Sequence, residues 1–419
     1  MDLVLEGRMF VNGDLKNTAV GIEDGKIVTV GNIVRGGDER IDLGSKVILP
    51  GFMDPHVHFR DPGLTQKEDF RTGTESAAFG GVTCILDMPN TKPPVTDLCS
   101  FKEKKQAVHS KAYVDYGLFA ALTPDCNVPL LAPLVVGFKL FMGSTTGNIL
   151  MNDDNDIYRV MYDVAKTDRR VSVHAEDNSM IGRGPETDNW EHLKNRPLEA
   201  EYNAIRRLGR FKGMKINICH ITNAQSLALA SSFGFSTEVT PHHLFFAADE
   251  FHGTEYKVNP PLRVQKTRDE LYKAFREGKI TMFGTDHAPH TMVEKSQDYE
   301  SAPGGIPGIE TTIPIFMNLV KKGTYPLKEL VRMGAENPAK MFGAGKGKIA
   351  VGYDADFSIF DMQKMTTINV DKLHSKAGHT PYEGWEAIFP EMVIVRGKMQ
   401  INGGEFCGAK IGEDIRGKH

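Results

Sequence analysis

Residues 46–63 read KVILPGFMDPHVHFRDPG. The run KVILPGFM is apolar, carries β-branched side chains and is broken by Pro-Gly, the composition of a buried strand and its punctuation. Along a strand successive side chains alternate faces, so His56, His58 and Arg60 are expected on one side. Three polar, cation-capable groups on one face of a core strand are costly to bury without partners. Either this is a surface strand, or the rest of the chain supplies what two histidines and an arginine need.

The rest of the chain repeats the pattern. After this first strand, strand-like runs recur as GVTCILDMPN (81–90), AYVDYGLFAAL (112–122), VVGFKLFMG (135–143), RVSVHAED (170–177), KINICHIT (215–222), FSTEVTPHHL (235–244) and KITMFGTDHAPH (279–290). Helix-like stretches such as PLEAEYNAIRRLGRF, AQSLALASSFG and KTRDELYKAFREG separate many of them. Eight strands alternating with helices are the signature of an α/β (β/α)8 TIM barrel. A doubly wound open sheet usually opens on a Gly-rich phosphate loop, which is missing here. Both ends have another texture: short alternating strands with Asn-Gly and Asp-Gly turns, as in LVLEGRMFVNGDLK and EMVIVRGKMQING. The expected organisation is a barrel over 51–344, flanked by 1–50 and 345–419, which together form one small β-sandwich domain.

Composition agrees. The 419 residues suit a barrel with an appendage, and 40% hydrophobic residues supply a large core. A formal charge of −4 leaves no basic excess to meet phosphates, which argues against a nucleic-acid or membrane-surface partner. Five scattered cysteines without a C-x-x-C suit a reducing compartment rather than a disulfide framework. The first residues lack a basic region followed by an apolar one, and no apolar run reaches ~18 residues. A soluble, cytoplasmic protein is expected.

The unusual residues fall at one end of the expected barrel. His56 and His58 close the first strand, Asn90 the second, His174 the fifth, His220 the sixth and Asp286 the eighth, while Lys139 lies in the fourth. The C-terminal ends of barrel strands form the active-site mouth. Four imidazoles, a carboxylate and a lysine gathered there point to a metal centre; imidazole and carboxylate suit zinc and similar divalent ions. Lys139 fits in two ways: as a lysine apart from the metal, or as a carbamate formed with CO₂, an anion with one oxygen for each of two metals.

In DPHVHFRDPG, MPNT, FKLFMG, VHAED, CHIT, TPHHL, NPPLR, GTDHAPH and GGIPGIET, in that order, the chain resembles the amidohydrolase superfamily and, within it, the dihydroorotases, over nearly its full length. The resemblance implies two divalent ions, zinc being the expected metal. His56 and His58 would ligate one, His174 and His220 the other, with a carbamylated Lys139 between them. Asp286 would complete the first set and shuttle the proton. Some dihydroorotases use an aspartate in the loop after the fourth strand instead, and NILMNDDND places Asp153 and Asp154 there; Lys139 is preferred because it sits within the strand. The implied chemistry is reversible cyclisation of N-carbamoyl-L-aspartate to dihydroorotate, a step of pyrimidine biosynthesis. A metal lowers the pKa of bound water from 15.7 to roughly 7, and Asp286 would act as general base, then general acid.

Substrate contacts follow from the same resemblance. Arg60 offers a planar fork for the substrate carboxylate, joined by Asn90 and His290; His58 belongs to the metal and substrate sets alike. Asn259 and the Gly304–Gly305 backbone would contact the ring. A hydantoinase or allantoinase would share the metal set but has no ring carboxylate to place on Arg60. A non-catalytic scaffold of this superfamily would have lost ligands, and all six are present. The expected partner is a small molecule, and a homo-oligomer is compatible with the reading. His242 and His243 are expected to orient other groups, and His287 is ambiguous. His109, His192, His252, His374, His379 and His419 are read as solvated, and EKSQDYES (294–301) as an exposed charged loop over the site.

Overall fold

The computed structural model describes residues 1–145, 147 and 149–417. Its chain begins with a meander of β1 (Leu3–Val11), β2 (Asp14–Glu23) and β3 (Lys26–Gly31). Asn12, Gly13, Asp24 and Gly25 turn the two hairpins with φ of 53°, 85°, 48° and 74°, the left-handed pair that tight hairpins require. Strand β4 (Glu39–Pro50) returns parallel to β1 and delivers the chain to the barrel at Gly51. A Cβ at Gly51 would stand 2.2 Å from the Thr83 hydroxyl, so only glycine fits this crossing.

The barrel strands are β5 (Phe52–Val57), β6 (Val82–Asp87), β7 (Asp115–Ala121), β8 (Gly137–Phe141), β9 (Arg170–His174), β10 (Ile216–Ile218), β11 (Ser236–Val239) and β12 (Met282–Phe283). They pair in sequence order, every neighbour parallel. The ring is joined where β5 and β12 end. The His58 amide donates to the His287 carbonyl at 2.9 Å, and Asp54 accepts from the Thr285 amide at 3.1 Å. The three sequence-predicted helices are present as Leu198–Leu208, Ala224–Ser232 and Gln265–Arg276. The first buries Ala200, Ala204, Ile205 and Leu208, the stripe that a helix laid on a barrel must hide.

After the barrel, β13 (Phe357–Phe360) pairs antiparallel with β4. A small ribbon, β14 (Thr366–Thr367) and β15 (Glu386–Ala387), precedes β16 (Met392–Val395), β17 (Lys398–Asn402) and β18 (Glu405–Phe406). Both termini therefore share one eight-stranded sheet, ordered β18-β17-β16-β13-β4-β1-β2-β3, in which only β1 and β4 run parallel. Leu5, Met9, Val20 and Ile27 from the start of the chain meet Phe357, Ile359 and Ile394 from its end in one core.

The ribbon segment belongs elsewhere. Ile368, Tyr382 and Ala387 pack on Phe246, Val258 and Ile306, so this strap lies against the loops of the barrel. Ser375 donates to Glu68 at 2.6 Å, Lys376 meets Asp69 at 2.5 Å, and His379 Nε2 donates to the His290 carbonyl at 3.1 Å. At the opposite end of the barrel, Asp115 opens β7 and meets Lys346 at 2.6 Å; Asp354 and Asp356 hold the same ammonium at 2.9 and 2.8 Å. No helix among the described residues is long and apolar enough to cross a membrane.

Candidate active site

Where the strands end, the expected residues come together. His56, His58, Arg60, Asn90, Lys139, His174, His220, Asn259, Asp286, Gly304 and Gly305 line one cavity at the mouth, with Phe141, Thr145, Val258 and Ala288. Of the substrate set only His290 lies just outside, bonded to its wall. The His56, His220 and Asp286 ligand atoms lie within 4.8 Å of one another. Asp286 Oδ1 is 3.0 Å from His58 Nε2 and 3.3 Å from His56 Nε2. His174 Nδ1 faces His220 Nε2 at 3.1 Å.

Each of three rings is anchored from behind. His56 Nδ1 meets Glu238 Oε1 at 2.6 Å, His58 Nδ1 meets Asn90 Oδ1 at 2.6 Å, and His174 Nε2 meets Glu176 Oε2 at 2.7 Å. Such acceptors fix the tautomer and leave the opposite nitrogen's lone pair facing the cavity, the arrangement of metal-ligating histidines. Burial lowers His58 to about 3 and depresses His174 and His220, so these imidazoles stay neutral, the form that binds a cation. Burial and Lys139 oppose protonation of His56, yet Glu238 and Asp286 outweigh them and raise it to about 10. Despite burial, His56 and His58 hold the Asp286 carboxyl well below the usual range. His220 Nδ1 is buried with no hydrogen-bond partner among the described residues. Three neutral imidazoles, an ionised carboxylate and this orphaned nitrogen fit a divalent cation, which would take the place of the proton that Glu238 and Asp286 hold on His56.

Lys139 is completely buried in β8, with its Nζ 3.0 Å from Cys219 Sγ and 3.5 Å from His56 Nε2. No carboxylate lies within 4 Å of it among the described residues. The rival aspartates are elsewhere: exposed Asp153 caps the helix Asp154–Ala165 through the amides of Asn155 and Asp156, and Asp154 binds Arg207 and Arg210.

Arg60 reaches the cavity by a route that strand alternation does not describe. β5 stops at Val57, and Arg60 sits at φ 61°, so a left-handed turn aims it. The Phe59 amide is held by Asp87 Oδ1 at 2.7 Å, and Asp87 is itself paired with buried Lys104. His220 and Asp286 also have positive φ, 35° and 48°. Three non-glycine residues in this region, at a cost of roughly 1–3 kcal/mol each, mark a mouth that is shaped for chemistry. The Arg60 guanidinium is buried, which lowers its pKa to about 10 and leaves it charged at neutrality. It donates to the Pro289 carbonyl at 3.3 Å and stands 3.2 Å from His290 Nε2. Gly305, at φ 155°, could hold no side chain: a Cβ would lie 2.3 Å from the Ala288 carbonyl oxygen.

Other expectations change. His192 is buried, bonded to Glu186 and the Val258 carbonyl, because its helix packs against the mouth loops. His374 and His379 are partnered by Glu310 and the His290 carbonyl, since the strap folds back over the barrel; His109 and His252 are exposed, and His419 lies outside the described residues. Within 294–301, Lys295 and Tyr299 are buried: the Lys295 ammonium is satisfied by the Pro303 and Gly305 carbonyls at 3.1 and 3.2 Å. His243 bonds Thr240 and the Pro260 carbonyl, orienting the Asn259 loop. His287 faces away from the cavity, accepting from the Gly308 amide. Glu238, Glu176 and Asp87 were not singled out in the sequence. Their signal is an acid within or beside an apolar strand, as in STEV, VHAED and VTCILD.

The amidohydrolase family matches residues 47–399. A dihydroorotase of Pyrococcus furiosus is 38% identical over 100% of this chain and 98% of its own. That of Methanosarcina mazei is 35% identical over 94% of this chain and 92% of its own. Among solved structures, an L-hydantoinase (dihydropyrimidinase) from Arthrobacter aurescens superposes with a TM-score of 0.91 at 28% identity, covering 98% of both chains. A dihydropyrimidinase from Brevibacillus agri gives 0.88 at 28% identity over 99% of this chain and 98% of that one.

Proposed function

The chain belongs to the amidohydrolase family, and we propose that within it this protein is a dihydroorotase, a cyclic amide hydrolase that interconverts N-carbamoyl-L-aspartate and dihydroorotate in pyrimidine biosynthesis. The observation that carries the substrate is Arg60: a buried cation beside the ligand cluster with no carboxylate within 4 Å among the described residues. Asp286, Asp87, Glu294 and Glu68 support its charge from a distance, and the ring carboxylate supplies the contact partner it lacks. A hydantoinase, as the structural neighbours are named, would use the same imidazoles but leave Arg60 unanswered.

His56, His58 and Asp286 would hold one divalent ion, zinc suiting this nitrogen-rich set, and His174 and His220 a second. Lys139 as an Nζ-carbamate would reach both; its burial without an anion supports that modification, and the exposed helix-capping position of Asp153 supports it over the aspartate. When bound, the metals supply a Lewis acid for the amide carbonyl and a water of lowered pKa. The chain's residues do the rest. Glu238, Asn90 and Glu176 keep the imidazoles in register. Asp286, ionised and 3.0 Å from His58, takes the proton of the attacking water and returns it to the departing amide nitrogen; ring closure runs the same transfer backwards. Arg60, His58, Asn90 and His290 would orient the carboxylate, and Asn259, whose Oδ1 has no partner among the described residues, the ring with the Gly304–Gly305 backbone. A cytoplasmic, homo-oligomeric enzyme fits this reading.

The test is substrate choice. Losing one partner of a buried charge pair costs ~2–5 kcal/mol, so Arg60→Met should lower kcat/KM for dihydroorotate by at least ~30-fold. Dihydrouracil, without the carboxylate, should be a poor substrate for either protein. Equal turnover of dihydrouracil and dihydroorotate by the unmodified enzyme would sink the assignment.

A further inference from the structure

Behind the carboxylate pocket lies a lysine to which none of this assigns a part. Lys67 is buried, its Nζ 3.1 Å from His290 Nδ1 and 2.7 Å from Glu294 Oε1. Glu294 is itself fixed: its carboxylate accepts from the Thr291 amide and hydroxyl, and the Thr291 hydroxyl accepts from the Glu294 amide, a capping box on the turn Met292–Lys295. Lys67 is ion-paired with this carboxylate, and an ammonium only donates. His290 Nδ1 must therefore accept, so the ring proton sits on Nε2. The Gly304 carbonyl, 3.2 Å from Nε2, accepts on that side.

The contact between His290 and Arg60 then changes meaning. Nε2 and Arg60 Nη2 are 3.2 Å apart, and in this tautomer both are donors. They cannot bond each other. The Nε2–H already bonds the Gly304 carbonyl, and a carboxylate that both donors can reach would share that proton in a three-centre bond while accepting from Arg60. We infer that Lys67 is a positioning residue for substrate recognition: it locks His290 as the neutral Nε2–H tautomer, so that Arg60 and His290 present paired donors to the substrate carboxylate. This rests on the dihydroorotase reading and deepens it. Burial, with Arg60, Lys67 and Lys295 nearby, also keeps the His290 ring far from protonation.

The tautomer can be read directly. In the metal-loaded, histidine-¹⁵N-labelled full chain, long-range proton–nitrogen correlation, assigned against His290→Asn, should show a proton-free Nδ1 and a protonated Nε2 on His290. Nδ1–H in the unmodified protein overturns the proposal without any lysine variant. Lys67→Met should move the proton partly or wholly to Nδ1 and raise KM for dihydroorotate ~10-fold or more, with kcat changed less than threefold. Lys67→Arg, which retains a donor, should keep the tautomer and most of the affinity, and it serves if Lys67→Met fails to fold. Unchanged KM and tautomer in Lys67→Met, while the enzyme still rejects dihydrouracil, would remove the role of Lys67 and leave the dihydroorotase assignment intact. Loss of that rejection in the unmodified enzyme would instead overturn the assignment.

Discussion

Two buried lysines sit at opposite ends of the same barrel and are treated in opposite ways. Lys346, at the end where strands begin, is held by Asp115, Asp354 and Asp356 within 2.9 Å, and these carboxylates raise its pKa well above the ordinary value despite burial. Lys139, near the end where strands finish, has a thiol and an imidazole for neighbours. The first lysine ties β7 to the segment that begins the C-terminal strands, and its charge is answered within the fold. The second is a buried amine that no carboxylate among the described residues meets, beside a cluster of ligand atoms. A buried charge that is satisfied speaks of structure, and one that is not speaks of a missing chemical partner.

The largest expected effect breaks this comparison or upholds it. Lys139→Met should lower turnover by ~10³-fold, the scale of losing a preorganised electrostatic group, and remove bound metal by elemental analysis. Because no pair is broken, urea unfolding of the metal-free chain should change by under ~1 kcal/mol or show a gain. Lys346→Met should do the reverse. It leaves buried Asp115 and Asp356 and half-buried Asp354 with only Arg396 and Lys26 as cations among the described residues, so stability should fall by ~3–5 kcal/mol while kcat per folded molecule is kept. If Lys139→Met destabilises the metal-free chain as strongly as Lys346→Met, the two lysines are alike and the contrast is wrong.

A third lysine sharpens the contrast from the solvated side. Lys376, on the strap, pairs with half-buried Asp69. Burial opposes ionisation of Asp69, but the hydrogen bonds from Lys376 and the Thr72 amide prevail and lower its pKa. A carboxyl whose folded pKa is depressed contributes stability above its unfolded value, ~3.9, and loses it as pH falls through the folded one. With water screening the pair, Lys376→Met should cost only ~0.5 kcal/mol at pH 7. The difference from the unmodified protein should close on acidification below ~pH 3; a gap that persists there would mean that Lys376 acts by packing.

Much of the candidate site was legible because polar residues in apolar strands are conspicuous. His56 and Lys139 lie within strands whose other residues are nearly all apolar, His174 follows the apolar pair Val171 and Val173, and parallel barrel strands put their C-terminal ends at one mouth. What anchors those residues was hidden. Glu238 reaches His56 across 182 residues, and Lys67 reaches His290 across 223. Neither has a local pattern that separates it from a solvated charge. Arg60 was expected in the right place for an incomplete reason: alternation ends at Val57, and a left-handed turn completes the placement. The loop 294–301 and His192 looked exposed because charged residues usually are, until Lys295 and His192 found backbone carbonyls at the mouth.

The sequence by itself determined the barrel, the shared terminal sheet and the end at which chemistry gathers, because strand periodicity, turn residues and apolar runs are local and act before any distant contact forms. Tertiary structure alone decided which charges are answered. Glu238 stands behind His56, Asp87 holds the Phe59 amide, and Asp115 closes on Lys346, through contacts between residues far apart in the chain. Whether a buried lysine is a staple or a reactive group depends on what lies within ~4 Å of its nitrogen, since Coulomb energy in a low-dielectric interior is decided at that range.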